Sequence, residues 1–232
     1  MIPYQNPSIE IGHLRIDEPI TTLTDFLFIA VCVFAFVKTK HFSAYKGVNL
    51  YRWFFLLTGI SSFVAAIIGH AFLYYFGFEA KIYGWVTGII SVSFAQFAAL
   101  HHTRSSISPK TFKILQIVNY LEIAFVTVLL FKVWSFAVVE IHTAYSLVLN
   151  VVILESIHYK KTGSLLSKNM LIGVGIAVLA VMCHIFKLAI SEWFNHLDLS
   201  HIFMAASMYM MYRGVASFKA ENETIINGRG KM

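Results

Sequence analysis

The chain has 232 residues, of which 58% are hydrophobic and 13% charged, with a mean hydropathy of +0.70 and a formal net charge of +6. A soluble domain carries about a quarter charged residues, so water cannot be the main solvent of this chain. The charged residues gather in short clusters between apolar runs, which is the pattern of an all-α, polytopic membrane bundle. Cys32 and Cys183 both lie inside apolar runs, which excludes a disulfide framework and a four-cysteine metal site.

In chain order, a polar leader of loose order is expected over residues 1–19, with no cleavable signal segment ahead of the first span. A spanning helix needs about 20 mostly apolar residues to cross a hydrocarbon layer of roughly 30 Å. Stretches 20–37, 51–76, 83–100, 112–131, 134–157, 170–190 and 197–218 meet that length. They predict one seven-helix transmembrane domain over 20–218, followed by a polar, loosely ordered cytoplasmic tail over 219–232. Short connections make sequence neighbours antiparallel, and the absence of ten-residue alternating segments excludes a barrel.

Basic residues set the orientation. Lys38, Lys40, Lys46 and Arg52 flank the first connection, Arg104, Lys110 and Lys113 the third, and Lys160, Lys161 and Lys168 the fifth. Arg213, Lys219, Arg229 and Lys231 follow the last span, whereas the opposite side carries only Arg15, Lys81, Lys132 and Lys187. The positive-inside rule then places the amino terminus outside and the carboxyl terminus in the cytoplasm, with a bacterial inner membrane as the expected location. The same charges are spread over short loops and flank no recognition motif, so nucleic acid is not an expected partner.

Ionisable groups inside a membrane are expensive and are candidates for function. Asp25 opens the first span, His70 closes the second, Glu140 and His142 open the fifth, and His184 and Lys187 close the sixth. The run Asn195-His196-Leu197-Asp198-Leu199-Ser200-His201 enters the seventh from the same side. At about 1.5 Å per residue all of these lie within roughly a dozen ångströms of the outer boundary. Imidazole and carboxylate are ligands that zinc accepts, and a catalytic zinc keeps three protein ligands and a water with a pKa near about 7. Asp198 and His201 are three residues apart and share a helical face, as two ligands or as ligand and base. Asp25 has a simpler role as the cap of the first helix, and Lys187 snorkels outward or pairs with Glu140 or Asp198.

Deeper in the membrane, Gln96, Asn119, Glu122 and Asn150 form a polar set suited to interhelical hydrogen bonds, with Glu122 protonated or paired with Asn119 or Asn150. On the inner side His101, His102 and His158 read as interfacial residues. Trp53, Trp85, Trp134 and Trp193 read as interfacial belts, and Gly69, Gly88, Gly173 and Gly175 as points of close helix contact.

This arrangement resembles the seven-span membrane hydrolase superfamily that includes alkaline ceramidases and the adiponectin and progestin receptors. That superfamily has a serine and a histidine near the end of the second span, an acidic residue near the start of the third, and histidines in the seventh. Ser62 and His70 take the second-span places here, Glu79 the acidic place and His201 a seventh-span place. Ala66 stands where the family serine precedes its histidine by one turn, and the run from His196 to His201 replaces a His-x-x-x-His pair. The resemblance implies hydrolysis of an amide or ester bond in a membrane lipid. Zinc would be held by His70, His201 and either His184 or Asp198, with Ser62 in the serine's role and Asp25, Glu140 or Asp198 moving the proton. An acyl chain would lie among Phe72, Tyr74, Tyr75 and Trp85. The chain also resembles a bacterial membrane family, to which no activity is attached, with Thr24-Asp25 opening the first span and Gly69-His70 closing the second.

Two other functions fit the same residues. Two of His70, His142, His184 and His201 are suited to be axial ligands of haem b. Alternatively the chain is a receptor, transport or scaffold subunit, with no chemistry of its own and a membrane-protein partner.

Overall fold

A computed structural model of the chain describes residues 7–42 and 44–229; the side chains of residue 42 and of residues 219–229, and the ends of the leader and tail at 1–6 and 230–232, lie outside the description. The described residues are almost entirely helical, joined to one small hairpin, β1 (Ser8–Ile11) and β2 (Leu14–Asp17). Gly12 turns the hairpin at φ +64°, a left-handed conformation that glycine adopts without Cβ strain. The leader, expected to be loose, is therefore ordered from Ser8 onward, and Glu18 N–H bonds Pro7 C=O at 2.8 Å.

α1 (Pro19–Lys38) starts with Pro at its first position, where the missing N–H has no helical partner to lose. α2 (Lys46–Val64) continues into a π-helical segment (Ala65–Ala71), then breaks at Phe72 (φ −128°, ψ 31°) before the short α3 (Leu73–Phe76). α4 (Ile82–His102) returns alongside α2, and α5 (Pro109–Val133) follows with Ser108 as its cap, the Ser108 hydroxyl accepting Thr111 N–H at 3.0 Å. α6 (Phe136–Ala144), a second π segment (Tyr145–Val152) and α7 (Ile153–Thr162) form one continuous rod, ended by Gly163 at φ +71°. α8 (Leu165–Ile185) and the 34-residue α9 (His196–Arg229) complete the bundle. Because α9 runs to Arg229, most of the tail expected to be loose is helical in its backbone.

Among the described residues, six helical stretches are long and apolar enough to cross a membrane: Pro19–Lys38, Lys46–Ala71, Phe78–Ser106, Pro109–Val133, Phe136–Thr162 and Leu165–Ile185. α9, the seventh expected span, is not among these six, yet it packs along α8 and α1. The outward faces are apolar: α5 alone exposes Ile117, Leu121, Phe125 and Val128. The core joins Phe28 and Cys32 of α1 to Tyr51, Phe54 and Phe55 of α2, Leu100 of α4, Leu166 and Met170 of α8 and Met211 and Val215 of α9.

Backbones approach closely where α8 meets α9. A Cβ on Gly173 would stand 2.6 Å from Met211 Cγ, and one on Gly214 would stand 2.9 Å from the Leu166 carbonyl oxygen. Gly173 thus meets its expectation, whereas Gly175 faces open space and does not. Trp85 is likewise no belt residue: it is 9% exposed and packs with Ile89, Val126, Leu130, Val138 and Val139.

Candidate metal centre

Three rods bring the candidate site together at the end of the bundle where α1 begins. Asp25 is the seventh residue of α1, His70 sits in the π segment after α2, and His201 is in the second turn of α9. One ligand atom from each of Asp25, His70 and His201 lies within 4.8 Å of the other two, and Asp25 and His201 are buried. His70 Nε2 is 3.8 Å from Asp25 Oδ2, and His201 Nε2 is 3.5 Å from Asp25 Oδ1. Ligands on a tetrahedral centre with bonds of about 2.0–2.1 Å stand roughly 3.3 Å apart, so a contraction of at most about 1.5 Å would close the triad on one ion.

The remaining ring nitrogens fix the tautomers. His70 Nδ1 bonds Glu18 Oε2 at 2.5 Å, and His201 Nδ1 lies 3.1 Å from Thr24 Oγ1. The Thr24 hydroxyl has one hydrogen, which is directed at Thr21 C=O (3.0 Å) or Asp198 Oδ1 (3.4 Å). It therefore accepts from His201 Nδ1–H, and the His201 Nε2 lone pair points at Asp25. A neutral His70 that donates Nδ1–H to the Glu18 carboxylate likewise turns a lone pair towards Asp25. Asp25 Oδ2 has no hydrogen-bond partner among the described residues. With both rings neutral, two imidazole lone pairs and a carboxylate converge here, an arrangement that suits a cation. An outer group on each ligand histidine's second nitrogen is the usual support of a metal site.

Local structure explains how the sequence holds this geometry. Glu18 adopts φ +46°, ψ 54° between the hairpin and Pro19, a left-handed conformation that costs a non-glycine residue roughly 1–2 kcal/mol. Asp198 Oδ2 accepts Asn195 N–H at 2.6 Å while Asn195 Oδ1 accepts Leu197 N–H at 2.7 Å, a reciprocal capping box that starts α9 one turn before His201. π segments concentrate at functional sites, and His70 lies in one of the two here.

The expected site residues divide on this map. His70 and His201 meet as expected, and Asp25 joins them as the third group. Asp25 does not cap α1, because the helix begins six residues earlier at Pro19 and Glu18 precedes it. Asp198 belongs to the capping box and to Thr24, outside the converging triad. His184 Nε2 lies 3.7 Å from Glu140 Oε1, with side chains 33% and 49% exposed, and its ring lies 5.5 Å from that of His196. Lys187 pairs with neither Glu140 nor Asp198: its Nζ donates to His196 Nε2 at 3.1 Å. Burial, followed by the neighbouring Lys187 charge, lowers the His196 pKa, in keeping with a neutral acceptor. Ser62 is half-buried on α2, two turns before His70 and beside Ser61, whose hydroxyl bonds Gly84 C=O.

Two further polar centres lie deeper. Glu122 pairs with neither Asn119 nor Asn150 as expected; its Oε1 is 2.7 Å from His142 Nδ1. At the opposite end of the bundle, fully buried Glu155 accepts from Tyr51 O–H (2.7 Å) and Ser167 O–H (2.6 Å) and meets His102 Nδ1 at 3.0 and 3.1 Å. His102 and His158 are therefore not interfacial, since His158 is 8% exposed and its Nδ1 lies 2.7 Å from Ser106 Oγ. Sequence reasoning passed over Glu18, Thr24 as a ring partner, and Glu155.

The sequence profile of DUF6962, a family of unknown function, matches residues 20–220, and the chain belongs to that family. No curated protein and no solved structure matches it.

Proposed function

We propose that this member of DUF6962 is a seven-span membrane metalloprotein, amino terminus outside, whose Asp25, His70 and His201 hold a zinc ion that serves the hydrolysis of a lipid amide or ester. The observation that carries the reading is the convergence of His70 Nε2, His201 Nε2 and the Asp25 carboxylate, with Glu18 and Thr24 engaging the opposite ring nitrogens. A two-histidine, one-carboxylate set with an open fourth position is a zinc hydrolase ligand set, and zinc bound there would supply a Lewis acid and a water of lowered pKa. Glu18 and Thr24 hold the rings in their tautomers, and Asp198 holds Thr24 and the start of α9. Glu140, exposed and 3.7 Å from His184, would pass a proton to solvent. The aromatic residues Phe72, Tyr74 and Tyr75 follow His70 directly, and exposed Tyr74 and Tyr75 offer an apolar approach for an acyl chain.

The topology rests on the asymmetry of basic residues and on six apolar helices, with α9 as a seventh span packed between α8 and α1. The hairpin and the metal ligands then lie near the outer face of a bacterial inner membrane. Haem b on His70 and His201 is the weaker reading, because the Asp25 carboxylate stands within 3.8 Å of both Nε2 atoms, where a porphyrin plane would have to pass.

Elemental analysis and an absorption spectrum of the detergent-purified protein, beside a His70→Ala/His201→Ala variant, form the test. About one zinc per chain, as three protein ligands and an open position require, should be present and should be lost in the variant. Turnover of lipid amides or esters by the zinc-loaded protein should disappear with it. Protein without stoichiometric metal overturns the reading, and a Soret band transfers the site to haem. Metal without turnover of any lipid amide or ester retains the metalloprotein and removes the hydrolase.

A further inference from the structure

A second centre, on helices that carry none of the metal ligands, is polar and incompletely satisfied. α4 and the rod of α6 run from the His70 end of the bundle towards the His102 end, and α5 runs back. Ser93 on α4, Glu122 on α5 and His142 on α6 meet at one level: His142 Nδ1 is 2.7 Å from Glu122 Oε1, and His142 Nε2 is 3.3 Å from Ser93 Oγ and 3.2 Å from Ile89 C=O. One turn nearer the His102 end, the same three rods carry Gln96, Asn119 and Ser146, each fully buried. Both side-chain polar atoms of Gln96 and Asn119, Ser146 Oγ and Glu122 Oε2 have no hydrogen-bond partner among the described residues.

Hydrogen-bond logic fixes the upper level. Ser93 O–H donates to Ile89 C=O at 2.8 Å, and that carbonyl only accepts, so His142 Nε2 must carry a hydrogen. One further proton then lies between His142 Nδ1 and Glu122 Oε1, because two bare acceptors at 2.7 Å would repel. The pair as a whole therefore holds one shared proton, and the other carboxylate oxygen, Oε2, is buried without a partner among the described residues, as are the side-chain groups one turn below it. There the orphan groups comprise two amide NH2 donors, two amide carbonyls, one hydroxyl and one carboxylate oxygen. Each such group left unpaired in an apolar interior costs about 1–3 kcal/mol. A cation would serve the oxygens and oppose both NH2 groups, whereas water donates and accepts, and a buried water takes roughly two to four such partners.

We propose that Gln96, Asn119 and Ser146 hold ordered water against the unpaired oxygen of Glu122, making Glu122 and His142 a proton-binding pair that is wetted from the His102 side. Ile89, Val126, Val138 and Val139 are buried one turn towards the His70 end and close that side with an apolar plug. Within two turns on α4, α5 and the α6 rod the other titratable groups are Tyr120 and Glu140, both exposed, and Tyr145. α8, which also packs on the second π segment, carries only apolar residues and glycine from Met170 to Met182. A proton leaving the pair is taken up on Glu122 Oε1, rotation of the neutral carboxyl turns that O–H from His142 to the water, and the water accepts the proton, with the reverse on uptake.

The test is infrared difference spectroscopy of the full chain in lipid nanodiscs, reading the Glu122 carboxyl stretch identified by its loss in Glu122→Gln. Transfer to D2O should shift that stretch promptly in the wild type. In Gln96→Leu/Asn119→Leu the shift should slow by about tenfold or more as the water-borne path is removed, while zinc content is unchanged. If that variant does not fold, Ser146→Ala gives the same readout with a smaller change. A wild-type stretch that fails to exchange, or leucine variants that exchange at the wild-type rate, overturns the proposal. A stretch that moves when sodium replaces choline at fixed pH overturns it in favour of a cation site. None of these outcomes depends on the metal centre, since every substitution lies on other helices.

Discussion

Asp25 and Glu155 are both buried carboxylates faced by histidine, at opposite ends of one bundle, and they are built in opposite ways. Glu155 is 0% exposed and every neighbour gives it a hydrogen: Tyr51, Ser167 and the His102 ring share its two oxygens. Asp25 is 2% exposed and faces the Nε2 atoms of two histidines whose Nδ1 atoms are engaged by Glu18 and Thr24, with Oδ2 left without a partner. A carboxylate surrounded by donors ties α2, α4, α7 and α8 together. A carboxylate surrounded by lone pairs is a cost to the fold unless a cation joins it. Burial and the carboxyl group are the same in both places, so the hydrogen-bonding surroundings separate the structural centre from the candidate site.

The sharpest way to break that comparison is to neutralise each carboxylate in turn. Asp25→Asn should lower zinc affinity by more than the roughly 10–100-fold that changes behind a ligand produce. It should leave the thermal stability of the metal-free protein unchanged or raised, because an amide can donate to a facing imidazole. Glu155→Gln should do the reverse, retaining full metal content and losing about 1–3 kcal/mol of stability, since its NH2 would oppose a donor in a fully buried set. Metal titration and thermal melts of both variants read the pair. Equal loss of zinc from both variants would show that the contrast in hydrogen direction does not divide the two centres.

Next in size is Glu18→Gln. The Glu18 carboxylate orients His70 through its Nδ1, and groups in that position affect metal affinity by roughly 10–100-fold. Zinc competition with a chelator should show that loss with His70 itself intact. Affinity at the wild-type level would place Glu18 in the hairpin's structure alone.

The sequence made the helical plan legible because apolar runs of spanning length leave few alternatives, and the six apolar helices fall where hydropathy puts them. His70 and His201 were legible as intramembrane histidines near one end. Asp25 is legible as a cap or a proton carrier and not as a ligand, because its distance from the helix start depends on Pro19 opening α1, a boundary that composition leaves uncertain. Glu18 was missed for a different reason: it sits in a polar leader with no periodicity, and only the Pro7–Glu18 backbone bond of the hairpin brings it to His70. His102 and His158 lie beside basic loops and read as interfacial, since a single sequence shows their depth and hides the rotation that turns them inward towards Glu155 and Ser106. Gly175 and Trp85 departed from expectation on the same ground. Helix rotation, set by packing such as Gly173 against Met211, was the missing variable.

Thr24 gives the smallest expected effect and the finest probe of the same principle. Its hydroxyl is a relay: it donates to Thr21 C=O or Asp198 and accepts from His201 Nδ1. Thr24→Val removes that acceptor while preserving shape, so the His201 proton is free to move to Nε2 and block the lone pair that a metal needs. A single neutral hydrogen bond contributes about 0.5–1.5 kcal/mol, which caps the loss of zinc affinity at about tenfold. Thr24→Ser, which keeps the hydroxyl and drops only a methyl group, should return most of that affinity. Should Ser behave as Val does, the methyl packing of Thr24 would be what positions His201, and the assignment of the Nδ1–H tautomer would lose its support.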